Sequence, residues 1–248
     1  METNRDFSGI PVETLVKQSG LRHIAFIMDG NGRWAKKRML PREAGHKAGA
    51  DNFKTIVRYC KKIAMECCTV YAFSTENIKR PRREVEALFR LLLSFIEEAA
   101  EEDDIEFRFI GEPGELGETI GRRTKQLEDS TRGRPYRLNI AFNYGGRAEI
   151  VRAVNRLMAE GKTNVTEDDI SANLYTAGRP EPDLIVRTGA EMRISNFLLW
   201  QAAYAELIFS DVLWPDYSTS DVDAAVREFA SRSRRFGGLD KADQTGGT

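Results

Sequence analysis

The chain has 248 residues, a formal net charge of −1, 41% hydrophobic residues and 30% charged residues, which is enough for one large domain with a real core and is the composition of a soluble globular chain. The near-neutral balance argues against broad electrostatic binding of nucleic acid, while leaving room for a local basic pocket. No run approaches the ~18 apolar residues of a membrane span, the N-terminus METNRDFSGIPVETL has no apolar signal core, and Cys60, Cys67 and Cys68 make neither a Cys-x-x-Cys pair nor a zinc spacing, so reduced thiols in a cytoplasmic protein are expected.

Residues 1–20 read as an N-terminal extension, 21–238 as one domain and 239–248 as a polar, flexible tail. The first buried strand is predicted at 23–28 and runs into Asp29-Gly30-Asn31-Gly32-Arg33-Trp34-Ala35. A strand that ends in a glycine-rich turn and opens a helix presents backbone N–H groups at a positive dipole end, a ready site for a phosphate or diphosphate. Gly30 to Ala35 also matches the G-x-G-x-x-A dinucleotide fingerprint, but the next strand ends about forty residues on, so the acid expected ~20 residues after the glycines has no strand end to sit on. Asp29 weighs against a dinucleotide as well. A carboxylate beside a diphosphate is repulsive unless a cation stands between them, which implies Mg²⁺; the alternative is a turn or helix-capping acid.

Arg42 and His46 follow, His46 serving either as a phosphate or proton-handling group or as a structural histidine. His23, in or beside the first strand, reads as structural. Phe53, Ile56, Val57, Cys60, Ile63 and Ala64 then mark one apolar helical stripe. A strand at 67–73 leads into Ser74-Thr75-Glu76-Asn77-Ile78-Lys79-Arg80-Pro81, and Val85, Leu88, Phe89, Leu92, Phe95, Ile96 and Ala99 form a second stripe. Strands are predicted at 105–110, at 136–142 (leading into Asn143-Tyr144-Gly145-Gly146-Arg147), at 183–187 (leading into the loop to Asn196) and at 205–209, with a final helical stripe from Val222 to Ala230. Strand–helix alternation implies an α/β fold with a mostly parallel sheet. In such sheets sites form beyond the carboxyl ends of the strands, so these polar loops share one rim, and arginines converging there point to a polyanionic ligand held by bidentate forks. Glu206 lies in an apolar strand and needs either a salt-bridge partner or a metal, the latter at the carboxyl edge of the sheet. Trp34, Trp200 and Trp214 read as core residues, with Trp34 the exception because it sits in the phosphate loop. No P-loop, H-E-x-x-H, G-x-S-x-G or D-D-x-x-D pattern occurs.

The segments 28–35, 45–49, 71–77, 143–147, 183–189, 193–201 and 213–216, in this order, resemble those of the cis-prenyltransferases, most of all the bacterial undecaprenyl diphosphate synthases, from about residue 20 to 238. The resemblance implies a single domain with a six-stranded, mostly parallel sheet flanked by helices. It also implies an enzyme that condenses isopentenyl diphosphate onto an allylic diphosphate such as farnesyl diphosphate, making Z double bonds. By that resemblance Asp29 holds Mg²⁺ and helps diphosphate leave. The N–H groups of Gly30, Asn31, Gly32 and Arg33, with the side chains of Arg33 and Arg42 and the neighbouring Trp34, cradle the allylic diphosphate. Arg187, Arg193 and Ser195, with Ile194 between them, match the isopentenyl diphosphate site, and Glu206 a second metal-linked acid. His46, Ser74 and Asn77 match positions near the reacting groups; Thr75, Glu76, Ile78 and Arg80 lie in the same substrate segment, and Glu84 is the helix-entry acid. Ala72 leaves room for a long product. Ile78 stands where an aromatic is common and Met192 where a histidine or glutamine is. The tail Arg234-Arg235-Phe236-Gly237-Gly238 is similar to that of homodimeric members. A cytoplasmic homodimer is therefore expected, one that touches the inner face of a membrane transiently to release its product.

Overall fold

The computed structural model describes residue 7 and residues 9–232; the Arg234–Gly238 motif and the polar tail lie outside the described residues. In chain order the elements are α1 (Val12–Ser19), β1 (His23–Ile27), α2 (Asn31–Lys37), α3 (Arg42–Lys62), β2 (Cys67–Ser74), α4 (Arg82–Ala99), β3 (Ile105–Ile110), α5 (Glu118–Thr131), β4 (Tyr136–Tyr144), α6 (Gly146–Ala159), α7 (Glu167–Asn173), β5 (Leu184–Arg187), β6 (Glu206–Phe209) and α8 (Thr219–Ser231). The strand predictions hold to within a residue or two. β4 continues past 142 because Tyr144 still pairs with Ser74 of β2.

The six strands form one sheet in the order β3-β4-β2-β1-β5-β6. Every pairing is parallel, so the sheet expected to be mostly parallel is wholly so. The reason is that a helix or a long crossover follows each strand and returns the chain to the same edge. Burial on both faces explains the unbroken apolar runs, β1 being buried at all five positions. One face carries the main core, built by α1, α3, α4, α5 and α8 around Phe26, Val70, Leu138 and Trp214. Val12, Leu15 and Val16 of α1 are buried there, so part of the segment read as an extension contributes to the core. The second face holds a smaller core in which Phe197 and Leu198 lie over Ala25, Ile27, Ala141 and Tyr144. α6 and α7 close a satellite cluster beside Trp200.

Cys60, Cys67 and Cys68 are buried free thiols, as their spacing implies. His23 is structural, as expected. Its Nδ1–H donates to the Pro180 carbonyl at 2.8 Å, which leaves Nε2 to accept from the Thr69 hydroxyl at 2.7 Å, and Thr69 in turn accepts from the Asn139 amide at 2.9 Å. Desolvation of the fully buried ring pulls its pKa down from 6.5 to about 4.

A histidine that folds as the neutral form binds fewer protons in the native state than in the unfolded one below pH 6.5. Its contribution is therefore complete above 6.5 and is lost as pH falls towards 4. Urea unfolding at pH 7 and pH 5 is expected to show an acid-induced loss larger in the wild type than in His23→Gln by about 2 kcal/mol, from the size of the shift.

Candidate active site

β1 lies beside β2 and β5 at the point where the strand order reverses, and the site forms beyond the carboxyl ends of these strands, where a doubly wound sheet opens a crevice. Asp29 is pinned through its backbone. Its N–H donates to the Thr188 hydroxyl at 3.1 Å, while its carbonyl accepts from that hydroxyl at 2.8 Å and from the Trp214 N–H at 3.0 Å. The carboxylate is held from two sides, by Arg187 (Nη2 to Oδ2, 2.9 Å) and Arg33 (Nη2 to Oδ1, 3.1 Å).

The loop after β1 turns at Gly30, whose φ of 110° is open to glycine and strained for other residues. α2 then begins at Asn31 and lies tight against α3. A Cβ at Gly45 would meet the Asn31 carbonyl oxygen at 2.1 Å, and one at Gly49 would meet Asn31 Oδ1 at 2.4 Å. The Gly45-His46-Lys47-Ala48-Gly49 segment thus lets α3 touch the loop backbone, and it brings Arg42 and His46 to the same cleft.

Glu84 joins the two sides. This buried carboxylate presents Oε1 to Arg42 Nε at 3.0 Å, to His46 Nε2 at 3.1 Å and to Arg80 Nη1 at 3.1 Å. Sequence reasoning alone gave Glu84 no role beyond its place in the family. The signal present was an acid one helical turn after Arg80, at the start of α4. Desolvation lowers the pKa of His46, and the Glu84 carboxylate opposes that shift. Ser74 and Asn77 form a capping box around the 3₁₀ turn Thr75–Lys79, the Asn77 side chain accepting from the Ser74 N–H at 3.2 Å.

On the far side, Arg187 Nη1 donates to Ser195 Oγ at 2.6 Å and to the Arg193 carbonyl. Ser195, Asn196 and Leu198 all have positive φ, a conformation that costs non-glycine residues about 1–2 kcal/mol each. The first turn of α6 offsets this: Gly146 N–H donates to the Asn196 carbonyl at 2.7 Å and Arg147 N–H to Asn196 Oδ1 at 2.9 Å. A Cβ at Gly145 or Gly146 would collide with Asn196 Nδ2 at 2.7 Å or Leu199 Cγ at 2.8 Å. The Asn143–Arg147 loop therefore acts through its backbone, as a brace for the 193–198 segment, and Arg147 does not join the arginines lining the cleft.

These residues enclose a cavity of about 670 Å³. Its mouth is polar: Asp29, Gly30, Asn31, Gly32, Arg42, His46, Ser74, Glu76, Asn77, Arg80, Arg187, Arg193 and Ser195 line it. Its interior, between α3, α4 and the sheet, is apolar, with Phe53, Ala72, Leu88, Leu92, Phe95 and Phe142 among the walls. Arg33 stands at the mouth through its ion pair with Asp29.

Several expected site residues lie elsewhere. Trp34 turns away from the cavity, donating to Asp216 Oδ1 at 2.7 Å beneath the Arg38 guanidinium. Thr75 packs behind Gly145, Ile78 is 48% exposed and Ile194 packs on the second-face core. Met192 is also exposed. Trp214, read as core, is fully buried. Glu206 is the clearest correction. It pairs in register with Leu184, which pairs with Ile24, so it lies at the amino edge of the sheet and not the carboxyl edge. Five residues separate that level from Asp29, about 16 Å along the strand. Glu206 is occupied by Arg232 at 2.7 Å, so within one chain it does not share a metal with Asp29. In a parallel sheet the second residue of a strand lies at its amino end, which is where the register places Glu206.

Among the described residues no group of three or more His, Cys, Asp or Glu side chains could hold a metal. Asp29 at the arginine-lined mouth still fits Mg²⁺, which takes one or two carboxylates and completes its shell with substrate oxygens and water.

Comparison with known proteins agrees with this geometry. A family model described as "Putative undecaprenyl diphosphate synthase" matches residues 27–237, and the chain belongs to this family of cis-prenyltransferases. It is 49% identical to the isoprenyl transferase of Fusobacterium nucleatum over 222 residues, 88% of this chain and 96% of that one. With the isoprenyl transferase of Neisseria gonorrhoeae it shares 46% over 230 residues, 91% and 93% of the two chains. Among solved structures, lavandulyl diphosphate synthase from Lavandula x intermedia, in complex with dimethylallyl diphosphate, superposes with a TM-score of 0.84 at 30% identity, covering 89% of this chain and 99% of that one. A "probable undecaprenyl diphosphate synthase" from Campylobacter jejuni gives 0.74 at 32% identity, covering 88% and 98%.

Replacing Glu84 by Gln removes the one negative charge shared by Arg42, Arg80 and His46. The expected cost is about 2 kcal/mol, below the full penalty of breaking a buried pair because both arginines are partly exposed. The His46 pKa is expected to fall further. An NMR titration of the chain's two histidines checks the second effect and urea unfolding the first.

Proposed function

We propose that this chain elongates an allylic diphosphate, farnesyl diphosphate by preference, through successive Z condensations with isopentenyl diphosphate in the presence of Mg²⁺, and that its product is a long polyprenyl diphosphate, undecaprenyl diphosphate in the simplest case. The observation that carries this reading is the two-part cavity: an arginine-rich polar mouth continuous with an apolar interior. A diphosphate with a growing hydrocarbon tail matches both parts. The neighbouring plant synthase, solved with an allylic diphosphate, supports the same substrate class, and small Ala72 on the cavity wall supports a long product.

In this reading the loop 30–33 and Arg42 hold the allylic diphosphate, while Arg187, Arg193 and Ser195 hold isopentenyl diphosphate. Breaking the allylic carbon–oxygen bond builds negative charge on the leaving diphosphate, and preoriented guanidinium and N–H donors stabilise that charge. Asp29 would hold Mg²⁺ there, and the ion would supply further neutralisation of the charge developing on the diphosphate. The isopentenyl alkene attacks the allylic carbon as the carbon–oxygen bond breaks, a proton passes from the new carbon skeleton to a diphosphate oxygen, and the tail advances between α3 and α4. His46, Ser74 and Asn77 orient the polar ends of the reactants, and the apolar walls keep water from the carbocation.

Catalysis by a homodimer and transient membrane contact belong to the same proposal. Among the described residues no helix is long and apolar enough to cross a membrane, whereas the product is strongly apolar. Met39 (95% exposed), Leu40 and Ile78 stand out near the site beside Lys36, Lys37 and Lys79, a combination that favours an anionic lipid surface.

Purified protein given Mg²⁺, farnesyl diphosphate and labelled isopentenyl diphosphate is expected to yield a ladder of products spaced by one five-carbon unit in a mass spectrum. Absence of chain extension would refute the proposal. Asp29→Ala should lower turnover by at least a hundredfold while circular dichroism stays that of the wild type; retained turnover would remove Asp29 from its role.

A further inference from the structure

Of the two carboxylates that line the mouth, Asp29 and Glu76, that of Asp29 is engaged by guanidinium groups on both sides. Both of its oxygens face guanidinium groups, Oδ2 that of Arg187 at 2.9 Å and Oδ1 that of Arg33 at 3.1 Å. The backbone of Asp29 is fixed by Thr188 and Trp214, so the carboxylate has little room to swing clear. The two arginines differ in freedom. Arg187 is buried, its side chain only 6% exposed, and is tied to Ser195 and to the Arg193 carbonyl. Arg33 is 43% exposed and is held by the carboxylate alone among the contacts described. The buried Nε of Arg187 has no partner, so this guanidinium has donor capacity left for an anion.

We infer that Arg33 and Arg187 latch Asp29, so that the site takes a divalent cation together with a diphosphate and binds the free cation poorly. The inference rests on the proposed function, from which it takes the diphosphate and the metal. An arriving free cation meets two guanidinium charges and must displace one of them from the Asp29 carboxylate. A diphosphate does the opposite. Its oxygens compete for both guanidinium groups in the bidentate geometry arginine favours, and as the arginines turn to it the carboxylate is released beside the new phosphate oxygens. The ligand set of one carboxylate plus substrate oxygens then exists only after the anion has entered. Arg33 and Arg187 thereby set the form in which the metal is accepted as well as holding phosphate.

By linkage, whatever weakens the latch strengthens each ligand in the absence of the other. Two measurements, neither of which uses turnover, test this. In the first, Mn²⁺ is titrated into the anion-free protein and followed by the electron paramagnetic resonance signal of the free ion. The wild type is expected to bind no more tightly than Asp29→Asn. Arg33→Gln, at an exposed position that leaves the fold intact by thermal unfolding, is expected to bind at least tenfold more tightly, and the gain should vanish in the Arg33→Gln, Asp29→Asn double variant. In the second, inorganic pyrophosphate is titrated calorimetrically in excess EDTA, and Asp29→Asn is expected to bind it at least fivefold more tightly than the wild type. Equal Mn²⁺ affinity in the wild type and Arg33→Gln, or weaker pyrophosphate binding by Asp29→Asn, overturns the latch. Failure of the proposed function appears separately, as absent chain extension in the product assay.

Discussion

The close approach of α3 to the turn after β1 is the constraint on which the rest of the site depends. With no side chain at Gly45 or Gly49, the helix backbone comes within van der Waals reach of Asn31, and the consequences run outward from that contact. The turn is held open at Gly30, Arg42 and His46 enter the cleft from the first turns of α3, and the lower part of the same helix, at Phe53, becomes a wall of the apolar interior. One helix thus lines both the charged and the apolar halves of the cavity, and the register of its residues links them.

The other half of the mouth is built by different means to the same end. Gly145 and Gly146 admit Asn196 and Leu199 to close quarters, and the first N–H groups of α6 hold a segment with left-handed residues that does not relax by itself. Strain of this kind persists where surrounding structure over-determines it. Here it faces Ser195 and Arg193 to the buried guanidinium of Arg187. The charges around the mouth are paired locally: Glu84 serves Arg42, Arg80 and His46, Asp29 serves Arg33 and Arg187, and Glu191 serves Arg193. An incoming polyanion therefore exchanges partners within an assembled frame.

Much of this was legible in the chain. Several strands announced themselves as apolar runs because a parallel sheet buries both faces of its inner strands, β1 and β5 being buried at every position, and the acid beside the glycines weighed against a dinucleotide fingerprint. What escaped was whatever depends on register and side-chain direction. Glu206, expected at the carboxyl edge although it stands second in the strand predicted at 205–209, lies at the amino edge by its pairing with Leu184. Trp34 shares a loop with the glycines that line the cleft, yet the pitch of α2 turns it to Asp216. The arginine of the Asn143–Arg147 loop suggested a ligand contact where the backbone does the work. Glu84 carried no sequence signal strong enough to reveal three partners, since two of them lie about forty residues away.

The strand order has a consequence for how the protein comes into being. Asp29 and Arg187 meet only through the pairing of β1 with β5, and nearly the whole domain is threaded between those two strands. Strands joined over such distances close late, after more local contacts have formed. A nascent chain that has made β1, β2, β3 and β4 already owns most of the apolar interior, while β1 still shows an unpaired edge. Docking β5 against β1 both covers that edge and supplies the buried guanidinium of Arg187. Completion of the sheet and acquisition of chemical competence are therefore the same event.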